Sequence, residues 1–356
     1  MNPAGASIRT DKAVGIWLLV IAVLIAAMVV VGGLTRLTGS GLSITEWHPV
    51  TGVLPPMSDA DWQAEFAKYQ GTPQYELLNK GMGLASFQTI YWWEWAHRLL
   101  GRVLGGAFLL PFLYFLWQRR IDRALVPRLA VIFVLGAAQG LLGWWMVKSG
   151  LEPTRVAVSQ YRLAAHLGLA VALFGFVLLT ALEVLGARRT SAVALARFRP
   201  WAVALTILVF IQILLGALMA GLDAGLAFDT WPTYGGAWIP PGLYDLSPWW
   251  INHFENPALV HFQHRMVGYV IAIFVIWLFI AAVRAGADKP LRIAAIHVLA
   301  LTILQIALGV LTVVSDVPLA LAAAHQIVAL ALFGSAIWLT YSFRRNREGG
   351  GRVAAQ

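Results

Sequence analysis

The chain has 356 residues, of which 59% are hydrophobic and 12% are charged, with a mean hydropathy of +0.72. A water-soluble domain carries about twice that share of charged residues, so this composition excludes an ordinary soluble protein. The net charge of +9 does not indicate a nucleic-acid partner, because the basic residues lie in short connections between apolar runs. The absence of cysteine excludes disulfides, cysteine-ligated zinc and thiol catalysis.

The first apolar run, residues 14–31, is too long for the core of a cleavable signal peptide. It ends in GGLTR, which is not a small-residue cleavage site. The segment before it is short and not rich in arginine, which argues against a mitochondrial transit peptide. We therefore expect this run to be a membrane span, with the bacterial inner membrane as the location.

Further apolar runs follow, each close to the roughly 20 residues that cross a bilayer. The hydropathy pattern predicts an all-α integral membrane protein with eight transmembrane helices, lying in the lipid bilayer. The predicted helices cover residues 13–34, 90–117, 128–147, 160–185, 200–221, 257–284, 291–314 and 318–343.

Lysine and arginine are concentrated in alternate connections, and eight spans place these connections on one side. The positive-inside rule then predicts that both termini are cytoplasmic. Two long connections, 35–89 and 222–256, are expected in the periplasm as ordered interfacial loops rich in Trp, Pro and Gly, and the second contains no Lys or Arg. The basic residues of the predicted cytoplasmic side are Arg9, Lys12, Arg119, Arg120, Arg123, Arg128, Arg188, Arg189, Arg197, Arg199, Arg284, Lys289, Arg292, Arg344, Arg345, Arg347 and Arg352.

The two halves of the chain resemble each other in order and spacing. A repeat with an even number of spans keeps its orientation in the membrane. We therefore predict two pseudo-symmetric four-helix bundles side by side, residues 1–186 and 187–356. The matching segments are GSGLSITEWHPVTGVLPP (39–56) with DAGLAFDTWPTYGGAWIPP (223–241), EWAHRLLGR (94–102) with FQHRMVGY (262–269), QGLLG (139–143) with QIALG (305–309), and AAHLGLAVALFGF (164–176) with AAHQIVALALFGS (323–335).

The repeat carries a histidine in the second and fourth helix of each half: His97, His166, His264 and His325. Each lies about seven residues from the periplasmic start of its helix, a depth of roughly 10 Å. An ionisable residue inside a membrane helix indicates a functional site, and two imidazoles at equal depth suit the two axial positions of a haem iron. Zinc fits less well, since no carboxylate or thiol cluster completes its coordination. The alternative is four interhelical hydrogen-bonding residues.

Arginines lie close to these histidines. Arg98 and Arg265 follow the first histidine of each half, and Arg102 lies one turn beyond Arg98. Arginine suits bidentate binding of a carboxylate such as a haem propionate. The alternative is that these side chains only extend to the membrane interface. The same two readings apply to Arg36, at the end of the first helix.

One acidic residue shares a helix face with the first histidine. Glu94 lies one turn before His97, where a carboxylate can relay protons or stabilise positive charge during an oxidation. The alternative is an interfacial residue that faces water. In the aligned repeat, His261 takes the position that Glu94 has in the first half. Such a difference is expected if one haem is a substrate and the other carries electrons. For the buried amides of Gln139, Gln212 and Gln305 we expect helix–helix hydrogen bonds.

Six motifs, taken together over residues 14–343, identify a family. They are GGLTRLTGSGLSITEWHPVTGVLPP, EWAHRLLGR, the AAH of the fourth helix, FDTWP, HFQHRMVGY and the AAAHQ of the eighth helix. On these motifs the chain resembles the haem A synthase family. Its lack of cysteine matches the branch found in proteobacteria and mitochondria, so electron delivery through a loop disulfide is not expected.

The resemblance implies an oxidoreductase that converts the C8 methyl group of haem O to a formyl group by two successive hydroxylations, giving haem A for cytochrome oxidase. It implies haem b on His264 and His325, a substrate haem in the half that carries His97 and His166, and a catalytic Glu94. Arg98 and Arg265 are then candidate cofactor-binding residues. The haem O synthase that adds the farnesyl group is a candidate partner, and the electron-transfer partner is unknown.

Two other functions fit the same pattern. A di-haem cytochrome b-type electron carrier would also use two histidine pairs, and it predicts two haems b and no formyl product. A transporter or assembly factor with structural histidines predicts no haem absorbance.

Overall fold

The structure is a computed structural model that describes residues 9–48, 51–187, 189–190 and 193–344. Among the basic residues predicted on the cytoplasmic side, four lie outside the described residues: Arg188, Arg345, Arg347 and Arg352.

Within the described residues, eight helices are long and apolar enough to cross a membrane, which confirms the predicted all-α membrane fold. The bounds agree with the predicted ones within a few residues, except that α2 begins six residues earlier than the predicted residue 90. The helices are α1 Lys12–Leu37, α2 Leu84–Trp117, α3 Val126–Gly150, α4 Gln160–Val184, α5 Arg199–Gly221, α6 Pro257–Arg284, α7 Lys289–Val314 and α8 Leu319–Ser342.

Two of the helices begin after a residue whose side chain accepts hydrogen bonds from the first backbone N–H groups of the helix. The Asp11 side chain caps α1 by accepting from the amides of Ala13 and Val14 at 2.9 and 3.0 Å. Asn256 caps α6 in the same way, and Pro257 follows it at the first helical position, where no N–H is needed. These local signals explain why the predicted starts of these two helices were accurate.

The helices have the same neighbours in both halves. In the first half α1 packs against α2 and α4, and α3 packs against α4; in the second half α5 packs against α6 and α8, and α7 packs against α8. Contacts of α4 with α5 and α8, and of α1 with α8, join the halves. This neighbour order agrees with a duplicated bundle, while the pseudo-two-fold axis and the boundary between residues 186 and 187 stay predictions.

The basic connections meet at one end of the helices, which we call the basic end. Here the Glu183 carboxylate contacts both Arg128 and Arg344, and Asp11 pairs with Arg120 at 2.8 Å. The hydrogen bond from Arg120 lowers the pKa of Asp11 below its usual value. The start of α1, the end of α8 and the connection between α2 and α3 are therefore held together at this end.

The opposite end, which we call the loop end, contains two short helices that the sequence analysis did not predict, Asp59–Gln70 and Pro73–Leu78. Phe66 and Tyr69 of the first short helix pack with Phe87, near the start of α2, in a small separate core. This packing explains why α2 extends beyond its predicted start, since the added turn is covered by protein instead of lipid.

Gly221, at the end of α5, lies where the two halves cross. A Cβ atom on Gly221 would lie 2.7 Å from the Cα atom of Gln160 in α4, and backbone cannot move aside as a side chain can. We expect Gly221→Ala to destabilise the protein by about 1–3 kcal/mol, as overpacking usually does. Thermal unfolding in detergent measures this. Gly105→Ala on α2 is the control, because its Cβ would meet nothing within 4 Å; equal midpoints for the two variants would contradict the prediction.

Candidate functional site

Each of the four helix histidines lies against a glycine of the preceding helix. An ideal Cβ atom built on these glycines would come within 3.3 Å or less of the imidazole ring, so a larger residue would displace it. The absence of a side chain therefore sets the position of all four rings. The pairs are Gly32 with His97, Gly143 with His166, Gly216 with His264, and Gly309 with His325.

The two histidines of the second half face each other. The ring centroids of His264 and His325 lie 6.4 Å apart, with their planes at 64°. A metal–nitrogen bond of about 2 Å puts a metal about 3 Å from an imidazole centroid, so two rings on opposite sides of one metal stand about 6 Å apart. The Nδ1 atoms of both rings are buried without a hydrogen-bond partner among the described residues. The pair therefore fits the axial positions of one haem iron.

The two histidines of the first half have the same kind of surroundings as those of the second half. His97 of α2 and His166 of α4 each lie against a glycine of the preceding helix, and both side chains are partly exposed, which leaves ring surface for a ligand. The Gln139 amide nitrogen lies 3.2 Å from His166 Nδ1. This half therefore offers two imidazoles on facing helices, as the second half does.

Glutamines form hydrogen bonds between consecutive helices near the histidines. Gln139 donates to the backbone carbonyl of His166 and Gln212 to that of His264, each at 2.8 Å. Gln305 takes the equivalent place on α7, where its amide nitrogen contacts the ring of the fourth histidine at 3.1 Å. The predicted helix–helix hydrogen bonds of the glutamines are confirmed, and they hold the helices that carry the imidazoles.

The glutamate beside the first histidine is buried, and both of its carboxylate oxygens accept hydrogen bonds. Glu94 is 3% exposed, and it accepts hydrogen bonds from Ser43 Oγ at 2.8 Å and from the Ile44 amide at 2.9 Å. Arg98 completes the set with an ion pair of 2.6 Å. The water-facing alternative for Glu94 is therefore wrong: the carboxylate lies in a closed polar network, one turn from His97.

The arginines of the first half also hold the loop above it. Arg98 donates to the carbonyls of Ile44 and Glu46, and Arg102 donates to the carbonyl of His48, each at 2.7 Å. These carbonyls belong to alternate residues of one loop segment, and all three accept from arginines of α2. The segment borders a cavity of ≈ 430 Å³ that both arginines line. Arg98 and Arg102 thus fasten the loop to α2.

The second half repeats this arrangement with different partners. Arg265 donates from Nε to His261 Nε2 at 2.9 Å and from Nη2 to the Thr230 carbonyl at 2.8 Å. Its guanidinium lies over the Tyr234 ring, 4.2 Å from the centroid. Burial raises the pKa of Tyr234, a loop residue, to about 12, so its hydroxyl stays neutral at physiological pH.

Arg36 connects the two halves of the chain. Its guanidinium contacts the carbonyl of Ala220 and the carboxylate of Asp223, the latter at 2.8 Å. Both partners belong to the second half, so Arg36 joins the two halves at the loop end. The two interpretations given for Arg36, propionate binding and extension to the membrane interface, both stay predictions.

Two kinds of site residue were missed in the sequence. Ser43 lies within the repeated loop motif, but its distance of 51 residues from Glu94 hid their contact. Of the four glycines that face the histidines, Gly143 and Gly309 end the matched segments QGLLG and QIALG, so the repeat itself held the signal. A glycine at the same place in two aligned helices indicates close approach of another group.

The chain is similar to known proteins over most of its length. The model of a family described as cytochrome oxidase assembly protein, COX15-CtaA, matches residues 15–337. The chain is 54% identical to the haem A synthase of Parvibaculum lavamentivorans over 78% of the chain and 81% of that protein. It is 52% identical to the enzyme of Paracoccus denitrificans over 77% and 73%, and 46% identical to that of Rhodospirillum centenum over 97% and 92%.

Proposed function

Because the chain belongs to the COX15-CtaA family of cytochrome oxidase assembly proteins, we propose that it is a haem A synthase. It converts the C8 methyl group of haem O to a formyl group by two successive hydroxylations, and its product serves cytochrome oxidase. The observation that carries this proposal is the facing pair of His264 and His325 at 6.4 Å, which suits a resident haem, together with a second histidine pair in the other half.

The two halves then have different tasks. The half of residues 187–356 holds haem b on His264 and His325, and the half of residues 1–186 receives haem O between His97 and His166. This division is supported by Glu94, a buried carboxylate that only the first half has beside its histidine. An oxidation that builds up positive charge is favoured next to such a group.

When bound, haem supplies the redox chemistry, and the protein binds and orients it. His97 and His166 hold the substrate so that its methyl group keeps one orientation. Glu94 provides a fixed negative charge and a proton acceptor one turn from His97, and Ser43 and Arg98 keep its carboxylate in place. Arg98 and Arg265 bind propionates with N–H groups that remain beside their loop contacts.

The chain is a multi-pass protein of the bacterial inner membrane with both termini in the cytoplasm. The gathering of basic connections at one end supports this orientation. The histidine sites then lie toward the periplasm, since Glu94 and Arg98 contact the loop at the opposite end. Haem O synthase is the proposed source of the substrate. The lipid bilayer surrounds the helices. No nucleic acid takes part, and the electron-transfer partner is unidentified.

A second function, a di-haem cytochrome b-type electron carrier, is favoured by one observation: both halves place histidines against glycines in the same way. Expression in cells that make haem O but no haem A separates the two. We expect mass analysis of extracted haem to show the formyl product only in cells that express this chain. Haem b alone, at two per chain, would support the carrier.

A further inference from the structure

The equivalent arginines of the two halves have partners of different charge. In the first half Arg98 donates from Nε to a carboxylate oxygen of Glu94 at 3.1 Å. In the second half Arg265 donates from the same atom to His261 Nε2 at 2.9 Å. Each partner lies four residues before its arginine, so the two contacts occupy the same position on α2 and α6.

One backbone contact of the two arginines is equivalent. Arg98 donates to the backbone carbonyl of Glu46 at 2.7 Å, and Arg265 to that of Thr230 at 2.8 Å. Residues 46 and 230 take the same place in the aligned loop segments. Both guanidinium groups therefore join the same two places, the residue four positions earlier and the aligned loop residue, and the side chains that hold them differ in charge.

The contact fixes the state of His261. A guanidinium has only donors, so His261 Nε2 accepts with its lone pair and the imidazole is the neutral form protonated at Nδ1. The ring is fully buried, with Phe228 and Tyr234 at centroid distances of 5.8 and 5.7 Å. A neutral acceptor in this apolar enclosure bonds Arg265 without cancelling its charge.

No negative partner compensates Arg265 elsewhere in the described part of the chain. Its other contacts are the carbonyls of Thr230 and Thr233 and the ring of Tyr234, which are all neutral. Arg98, by contrast, forms an ion pair with Glu94 at 2.6 Å. The second half thus keeps a full positive charge on the residue directly after His264, whereas the first half does not.

We propose that His261 is a positioning residue that holds Arg265 beside the haem b site while leaving its charge uncompensated. This inference rests on the proposed function, which puts haem b on His264 and His325. A nearby cation stabilises the reduced iron, which carries one positive charge less, and attracts the anionic propionates. His261 therefore raises the reduction potential of haem b and strengthens its retention, whereas in the first half the Glu94 carboxylate offsets the charge of Arg98 and weakens both effects.

The test compares His261→Glu with His261→Gln in the full-length protein purified in detergent. Glutamate recreates the ion pair of the first half, whereas glutamine keeps a neutral acceptor for Arg265. Optical redox titration measures the potential of haem b, and a pyridine haemochrome assay measures its amount per chain. We expect His261→Gln to stay close to the unaltered protein in both measurements.

For His261→Glu we expect the ratio of reduced to oxidised haem b at a fixed applied potential to fall at least tenfold, which is a shift of about 59 mV for one electron. Loss of haem b from His261→Glu alone supports the proposal equally. Equal potentials in the two variants, or equal loss of haem b from both, would overturn it. An unaltered protein without haem b would instead refute the proposed function, before the variants are compared.

Discussion

Purified protein with alanine in place of His264 or His325 is expected to contain no haem b, whereas the unaltered chain retains it. The two rings stand 6.4 Å apart, and in the proposed function each would give one nitrogen to the haem iron. Either substitution would then leave the iron with a single protein ligand. The low-spin haem absorbance per mole of protein measures the effect.

The matched control for these variants is His297→Ala. His297 lies on α7 as an exposed residue, and its Nδ1 atom contacts the carbonyl of Ile293 in its own helix at 2.8 Å. We expect this variant to keep the full haem signal. A complete low-spin spectrum in purified His264→Ala or His325→Ala would show that haem b is bound elsewhere.

Haem A formation is expected to fall by about 100-fold or more in Glu94→Gln and Glu94→Ala, the range usual for the loss of an acid–base group, while haem b stays bound. Glutamine keeps the size of the side chain and one oxygen for the bonds from Ser43 and Ile44, while it removes the negative charge and the ion pair with Arg98. Alanine removes the bonds from Ser43 and Ile44 as well. Chromatography of extracted haems measures both products.

Glu76→Gln provides the control for Glu94. Glu76 lies in the loop helix Pro73–Leu78, where its exposed carboxylate pairs with Lys80 at 3.2 Å. Exposed pairs of this kind contribute little, so we expect normal haem A formation. If Glu94→Gln turned over haem O at the rate of the unaltered chain, Glu94 would have no part in the reaction.

The relation between Glu94 and Arg98 shows where reasoning from sequence stopped. The spacing of four residues indicated that Glu94, His97 and Arg98 lie within one turn of a helix. It did not show that the Ile44 amide and Ser43 close the carboxylate off from water, because these residues lie 50 and 51 positions away. Only the position of this loop on α2 in the tertiary structure excludes the water-facing alternative for Glu94.

Some features were determined by the sequence alone. The hydropathy of each run predicted eight spans, because a bilayer demands about 20 apolar residues whatever the neighbours are. The repeat predicted that histidines would pair within each half, because aligned segments of equal length reach equal depth. Helix starts at Asp11 and Asn256 followed from caps that act within three residues.

Other features were decided only by the tertiary structure. Arg36 bonds Asp223 across 187 residues and so joins the halves, and the arginines that follow His97 and His264 differ in charge compensation through Glu94 and His261. Hydropathy and periodicity indicate only which residues of each helix are exposed to lipid or water. Which polar groups meet inside depends on the packing of several helices and loops at once, and that information is spread over the whole chain.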